Sequence, residues 1–102
     1  MSEVTHDEIR LQILEFLYKF EQEEPSSWGV DRSTLQRQLG ISERDMDYNV
    51  TYLSQRALVR TVQAENVLWY IARLSRYGRD VVENKKLYER QFPFLRPAKS
   101  KK

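Results

Sequence analysis

The stretch "LQRQLGISERDMDYNVTYLSQRALVRTV", residues 35–62, decides the fold. Leu35 and Leu39 stand one helical turn apart, and Gly40 supplies the residue that most readily takes a left-handed backbone at a helix end. Ser42 is placed to cap a second helix, with Asp45 three residues later in a near capping-box arrangement. That helix is predicted to run to about Arg56, with Met46, Val50, Leu53 and Ala57 on its buried stripe. "ALVRTVQ" then reads as a strand. Two short helices joined by a tight turn and followed by a strand are thus written into one segment.

Upstream, Asp31 is a candidate N-cap for "RSTLQRQL". Before it, "HDEIRLQILEFLYKFEQEE" carries Ile9, Ile13, Phe16, Leu17 and Phe20 at helical spacing, with Thr5 or Asp7 as the cap. Pro25 disfavours helix in the residue before it, and "SWGV" allows one brief strand, with Trp28 expected in core or strand-edge packing. Downstream, "AEN" makes a turn and "VLWYIARL" is a second strongly β-prone run. Strict alternation puts Leu68, Tyr70, Ala72 and Leu74 on one face; the other exposes Trp69 and Ile71 unless something covers them. Ser75 caps a last helix, "RYGRDVVENKKLYERQF", and Pro93 and Pro97 block its continuation.

The 102 residues suffice for one hydrophobic core and not for two domains. The expected organisation is a single domain over residues 1–92 and an extended, disordered basic tail over 93–102. The aromatic segment "LYERQFPFL" either folds back on the first helix or pairs with a second chain. With no cysteine there is no disulfide and no thiolate metal site. The absence of a signal-peptide pattern and of long apolar runs leads to the expectation of a cytoplasmic protein. Charge is divided: residues 1–50 hold 5 Lys/Arg against 11 Asp/Glu (5 − 11 = −6), and residues 51–102 hold 12 against 4 (12 − 4 = +8). A basic surface can therefore sit within a nearly neutral chain.

The order helix, short strand, helix, tight turn, helix, hairpin, helix resembles the winged helix-turn-helix DNA-binding transcription regulators, in particular small archaeal, bacterial and phage repressors. The resemblance rests on "LQRQLGISERDMDYNVTYLSQRALVRTV" and "YIARLSRYGRDVVE", and covers roughly residues 8–84. Ala57 stands where that pattern commonly has glycine, and Asp45 and Asp47 where it commonly has Thr and Ser. The resemblance implies an α+β fold, mainly helical with a small antiparallel hairpin wing. It also implies sequence-specific binding of double-stranded DNA by a repressor-type regulator, with residues 42–56 as the major-groove reading helix.

The outward face of that helix carries Arg44, Tyr48, Thr51, Tyr52 and Gln55, suited to base edges and phosphate oxygens. Arg56, Arg60, Arg73 and Asn66 are expected at the DNA backbone or on the wing. The acids Glu43, Asp45 and Asp47 fall on the shoulders, where they complement the helix dipole and can meet Arg32 or Arg37; Asp47 is the ambiguous one. A homodimer through the first and last helices is expected, because operators are commonly read by two-fold dimers. The alternatives are a winged helix used for protein–protein docking without DNA binding, a reading helix face that is merely solvated, and RNA binding by the same basic surface. His6 reads as a surface residue. No catalytic constellation, metal-ligand spacing, phosphate loop, cofactor motif or effector pocket is legible, so an enzyme is not expected.

Overall fold

Side chains at the helix ends define where each element starts. In the computed structural model, which describes residues 4–96, Thr5 caps α1 (His6–Glu23). The Glu8 N–H donates to Thr5 Oγ1 at 3.1 Å and the Thr5 N–H to Glu8 Oε1 at 2.9 Å, a complete capping box. Asp31 closes the two-residue β1 (Val30–Asp31) and caps α2 (Arg32–Leu39), which ends at Gly40 with φ 66°. Ser42 caps α3 (Glu43–Gln55), its hydroxyl accepting from the Asp45 N–H at 3.0 Å. The hairpin β2 (Val59–Ala64) and β3 (Val67–Leu74) follows, then α4 (Arg76–Glu83), α5 (Lys85–Tyr88) and a 3-10 turn at Pro93–Leu95.

The three strands form an antiparallel sheet in the order β1-β3-β2. Against it packs a core of Ile9, Ile13, Leu14 and Leu17 from α1, Leu35 from α2, and Met46, Val50 and Leu53 from α3. Val30, Leu58, Val59, Trp69, Ala72, Leu74, Val81, Phe92, Phe94 and Leu95 complete it. The result is an α+β domain, helix-rich as the sequence indicates.

The carboxylate of Asp31 is held below its usual range, chiefly by the Thr34 hydroxyl that donates to it at 2.7 Å, then by backbone N–H groups of the first turn. A depressed folded-state pKa means the stabilisation is present above the unfolded value of 3.8 and is lost as pH falls through the lower folded value. Asp31→Ala is therefore expected to lose about 1 kcal/mol near neutrality, the usual worth of an N-cap. The gap from the parent should narrow below about pH 4, the titration range of a carboxylate. Urea unfolding as a function of pH checks it; a gap that stays constant into acid would contradict the assignment.

Helix α3 ends in a Schellman arrangement: Leu58 N–H donates to Leu53 O at 3.0 Å and Ala57 N–H to Ser54 O at 3.0 Å. This puts Ala57 at φ 64°, a conformation natural to glycine. Ala57 is accordingly exposed and outside the helix, not on its buried stripe; Asn49 takes that place, fully buried. The left-handed region costs an L-residue about 1–2 kcal/mol, and glycine gives back part of that through its looser unfolded chain. Ala57→Gly is expected to raise the melting temperature by roughly 3–6 °C, the equivalent of less than about 1 kcal/mol in a chain this size. A lowered melting temperature would show that the turn carries no such strain.

Four expectations are corrected by packing. Between the pairs Val62↔Ile71 and Ala64↔Val67, β2 advances two residues while β3 advances four, so β3 carries a bulge. The bulge shifts the alternation: Trp69 turns inward with 2 % exposure, while Leu68 and Tyr70 face out. Trp28 is 75 % exposed, because Gly29 at φ 140° breaks the strand before the side chain can follow Val30 inward. The last helix is not continuous. Asn84 bonds the Asp80 carbonyl and carboxylate through its side chain, and the chain turns there into α5.

That turn brings the C-terminal segment back over α1. Residues 93–96 are therefore not part of a disordered tail: Phe94 and Leu95, like Phe92, are buried in the core. Of the two fates open to the aromatic segment, folding back within the chain is the one observed. Residues 97–102, with Lys99, Lys101 and Lys102, lie outside the described residues.

Candidate nucleic-acid interface

Helical spacing lays Arg44, Tyr48, Thr51 and Gln55 along one exposed side of α3, with Arg56 exposed at its end. Arg44 and Arg56 have no ion-pair partner among the described residues. Open depressions lie on either side of Tyr48, whose own exposure is 57 %. One is bordered by His6, Ser42, Arg44 and Asp45. The other runs between α3 and the hairpin, bordered by Asp47, Thr51, Tyr52, Gln55, Arg56 and Leu68.

The acids of α3 are largely committed elsewhere. Arg32, at the start of α2, donates from Nη2 to Asp47 Oδ2 and to Glu43 Oε2, each at 2.8 Å. Its Nη1 donates to the Trp69 carbonyl at 3.1 Å, and the guanidinium lies 4.9 Å from the indole centroid. Asp47 Oδ1 accepts the Trp69 indole N–H at 2.9 Å. These bonds, above all the one to Asp47, raise the Arg32 pKa further, so the guanidinium stays charged throughout. Asp47 is thus a strut between α2, α3 and β3. Asp45 has no ion-pair partner among the described residues, and its charge makes the depression beside Arg44 the less favourable place for a phosphate.

The buried Asn49 fixes the other shoulder of α3. Its Oδ1 accepts from Arg10 Nε at 2.8 Å, and its amide donates to the Asp45 carbonyl at 2.8 Å and meets His6 Nδ1 at 2.9 Å. Because arginine only donates, the amide orientation is set, and His6 Nδ1 must accept. The His6 ring in turn lies 4.9 Å from the Tyr48 ring, holding that side chain against the start of α1.

Tyr52 is more enclosed than Arg44, Tyr48, Thr51 and Gln55, and what it leaves open is the hydroxyl expected to meet phosphate oxygens. The Arg10 and Arg56 guanidinium carbons each lie 3.5 Å from its ring centroid, and two groups that close must occupy opposite faces. The ring is half-buried, edge-on to Phe94, with both faces covered. It cannot stack on a base, and only its hydroxyl edge is free to meet a ligand.

The hairpin residues do not join the α3 face as one patch. Arg60 and Arg73 pair directly across the ladder and are exposed, and their neighbours Val59 and Leu74 are buried. Arg73 also borders a small depression with Glu21 and Glu24 at the end of α1. Asn66 lies exposed in the hairpin turn. Sequence reasoning missed Leu68, Arg10 and the bond from Trp69 to Asp47, whereas the meeting of the α3 acids with Arg32 was expected.

Among the described residues no group of three or more His, Asp or Glu is placed to hold a metal ion, and no helix is long and apolar enough to cross a membrane. Comparisons with protein-family models, with curated proteins and with solved structures give no match to this chain.

Proposed function

We propose that the chain is a winged helix-turn-helix protein that binds double-stranded DNA sequence-specifically, acting as a repressor-type regulator by occupying its site. The observation that carries this reading is the division of labour on α3. Arg44, Tyr48, Thr51 and Gln55 are exposed along its outward side, while Glu43 and Asp47 share the single positive charge of Arg32. Such a helix offers base edges a guanidinium, an amide and hydroxyls, while two of its three acids are engaged by a guanidinium. Arg56 would contact the backbone, with Asn66 and the exposed Arg60 and Arg73 on the hairpin. The proposed assembly is a homodimer that places two reading helices on one face of the duplex. Light scattering tests this, and a monomer at high micromolar concentration would remove the dimer from the proposal.

Selection of bound sequences from random duplex DNA tests the reading itself. Enrichment of a defined site is expected, with affinity falling steeply as salt rises, since each neutralised phosphate contributes a slope of about −0.9 in log K against log salt. A chain that retains no duplex even at low salt would favour the docking module instead. One observation speaks for that second reading: Val62, Val67, Leu68 and Tyr70 leave apolar surface exposed on the hairpin.

A further inference from the structure

Leu68 is 64 % exposed, and it is the aliphatic residue of a groove otherwise bordered by polar and aromatic side chains, Thr51, Gln55 and Arg56 among them. Its exposure is built into the fold. The bulge in β3 turns Trp69 inward, the indole N–H locks onto Asp47 at 2.9 Å, and the adjacent Leu68 is thereby held outward beside α3. An apolar tip set among polar groups, with the one carboxylate of the groove, Asp47, already engaged by Arg32 and Trp69, fits a ligand that is polar with one apolar group. The edge of a base pair in the major groove is such a ligand, and the apolar group it presents is the C5-methyl of a pyrimidine.

We infer that Leu68 is a specificity-determining residue that contacts the C5-methyl group of one pyrimidine in the DNA site. The assignment rests on the DNA-binding reading and adds to it a named base contact from the hairpin. Thymine carries this methyl group, and so does 5-methylcytosine.

The test uses the full chain and duplexes enriched by selection. Each thymine is replaced in turn by deoxyuridine, which lacks only the methyl, and affinities are measured for the parent and for Leu68→Ala. At one position the parent should lose about fourfold, the worth of one buried methyl. Leu68→Ala should already be weaker by at least that factor and lose nothing more. A 5-methylcytosine–guanine pair at that position separates the two sources. Binding restored above the unmethylated cytosine pair marks a contact to the methyl whatever the base; no restoration marks thymine itself.

Deoxyuridine that weakens both proteins equally, or neither, would overturn the Leu68 assignment while leaving α3 as the reading helix. Failure of any duplex to enrich would overturn both. Because Leu68 is exposed, Leu68→Ala should melt with the parent, which keeps a loss of binding distinct from a loss of fold.

Discussion

Asp47→Ala is expected to destabilise the fold by about 3 kcal/mol, more than any other single change on the surface of α3. Two groups lose their partner at once. The Trp69 indole N–H, in a side chain only 2 % exposed, would be left without an acceptor. An unsatisfied buried donor costs about 1–3 kcal/mol. Arg32, whose side chain is 11 % exposed, would lose the better shielded of its two carboxylates and keep only Glu43, which is 65 % exposed. Breaking a buried pair from one side costs about 3–5 kcal/mol, and the retained Glu43 and carbonyl bonds place this case at the lower end.

Asp47→Asn keeps an oxygen for the indole and is expected to cost about half as much, since only the charge is removed. Trp69→Phe removes the indole bond from the other side. Combined with Asp47→Ala it should fall short of additivity by about 1 kcal/mol, as directly bonded neighbours do. Urea unfolding followed by far-UV circular dichroism suits the whole set, because Trp69→Phe removes the buried tryptophan and Trp28 is already 75 % exposed. An unchanged denaturation midpoint for Asp47→Ala would show that the strut contributes nothing.

The contrast between Asp47 and its neighbours shows what a sequence can and cannot carry. Helix starts are local chemistry, so Asp31, Ser42 and Ser75 were legible as caps and Thr5 as one of two candidates, and each accepts a backbone N–H of its first turn. The apolar stripe of α3 was legible at Met46, Val50 and Leu53 because spacing alone sets it. Asn49 escaped, because a polar residue reaches a core only when distant groups satisfy it. Its partners, Arg10 and His6, are 39 and 43 residues away in the chain. The bulge escaped for a related reason: an extra pair of residues leaves no mark in a run as uniformly β-prone as "VLWYIARL". Trp69 and Leu68 exchanged sides as a result. The role of Asp47 as a strut depended on that exchange.

Arg44→Ala together with Tyr48→Ala is expected to abolish specific DNA binding, by 100-fold or more, while leaving the fold intact. Both side chains are exposed on α3, and neither belongs to the core. Tyr48 gives up its ring contact with His6, so a stability change within about 0.5 kcal/mol is expected, as for other surface positions. A bidentate or well-placed base contact is worth about 1–3 kcal/mol, and the loss of two removes most of the margin by which a specific site exceeds random DNA. Residual non-specific binding should persist, because Arg56 and the hairpin arginines remain. The salt dependence of the single variants separates their roles. If Arg44 reads a base edge, Arg44→Ala weakens the selected site far more than random duplex and leaves the slope nearly unchanged. If it holds a phosphate, both duplexes weaken alike and the slope falls by about 1. The unpaired charge of Asp45 beside it disfavours phosphate there, so the first outcome is the expected one. Unchanged affinity of the double variant for its selected site, with circular dichroism unaltered, would remove α3 as the reading helix.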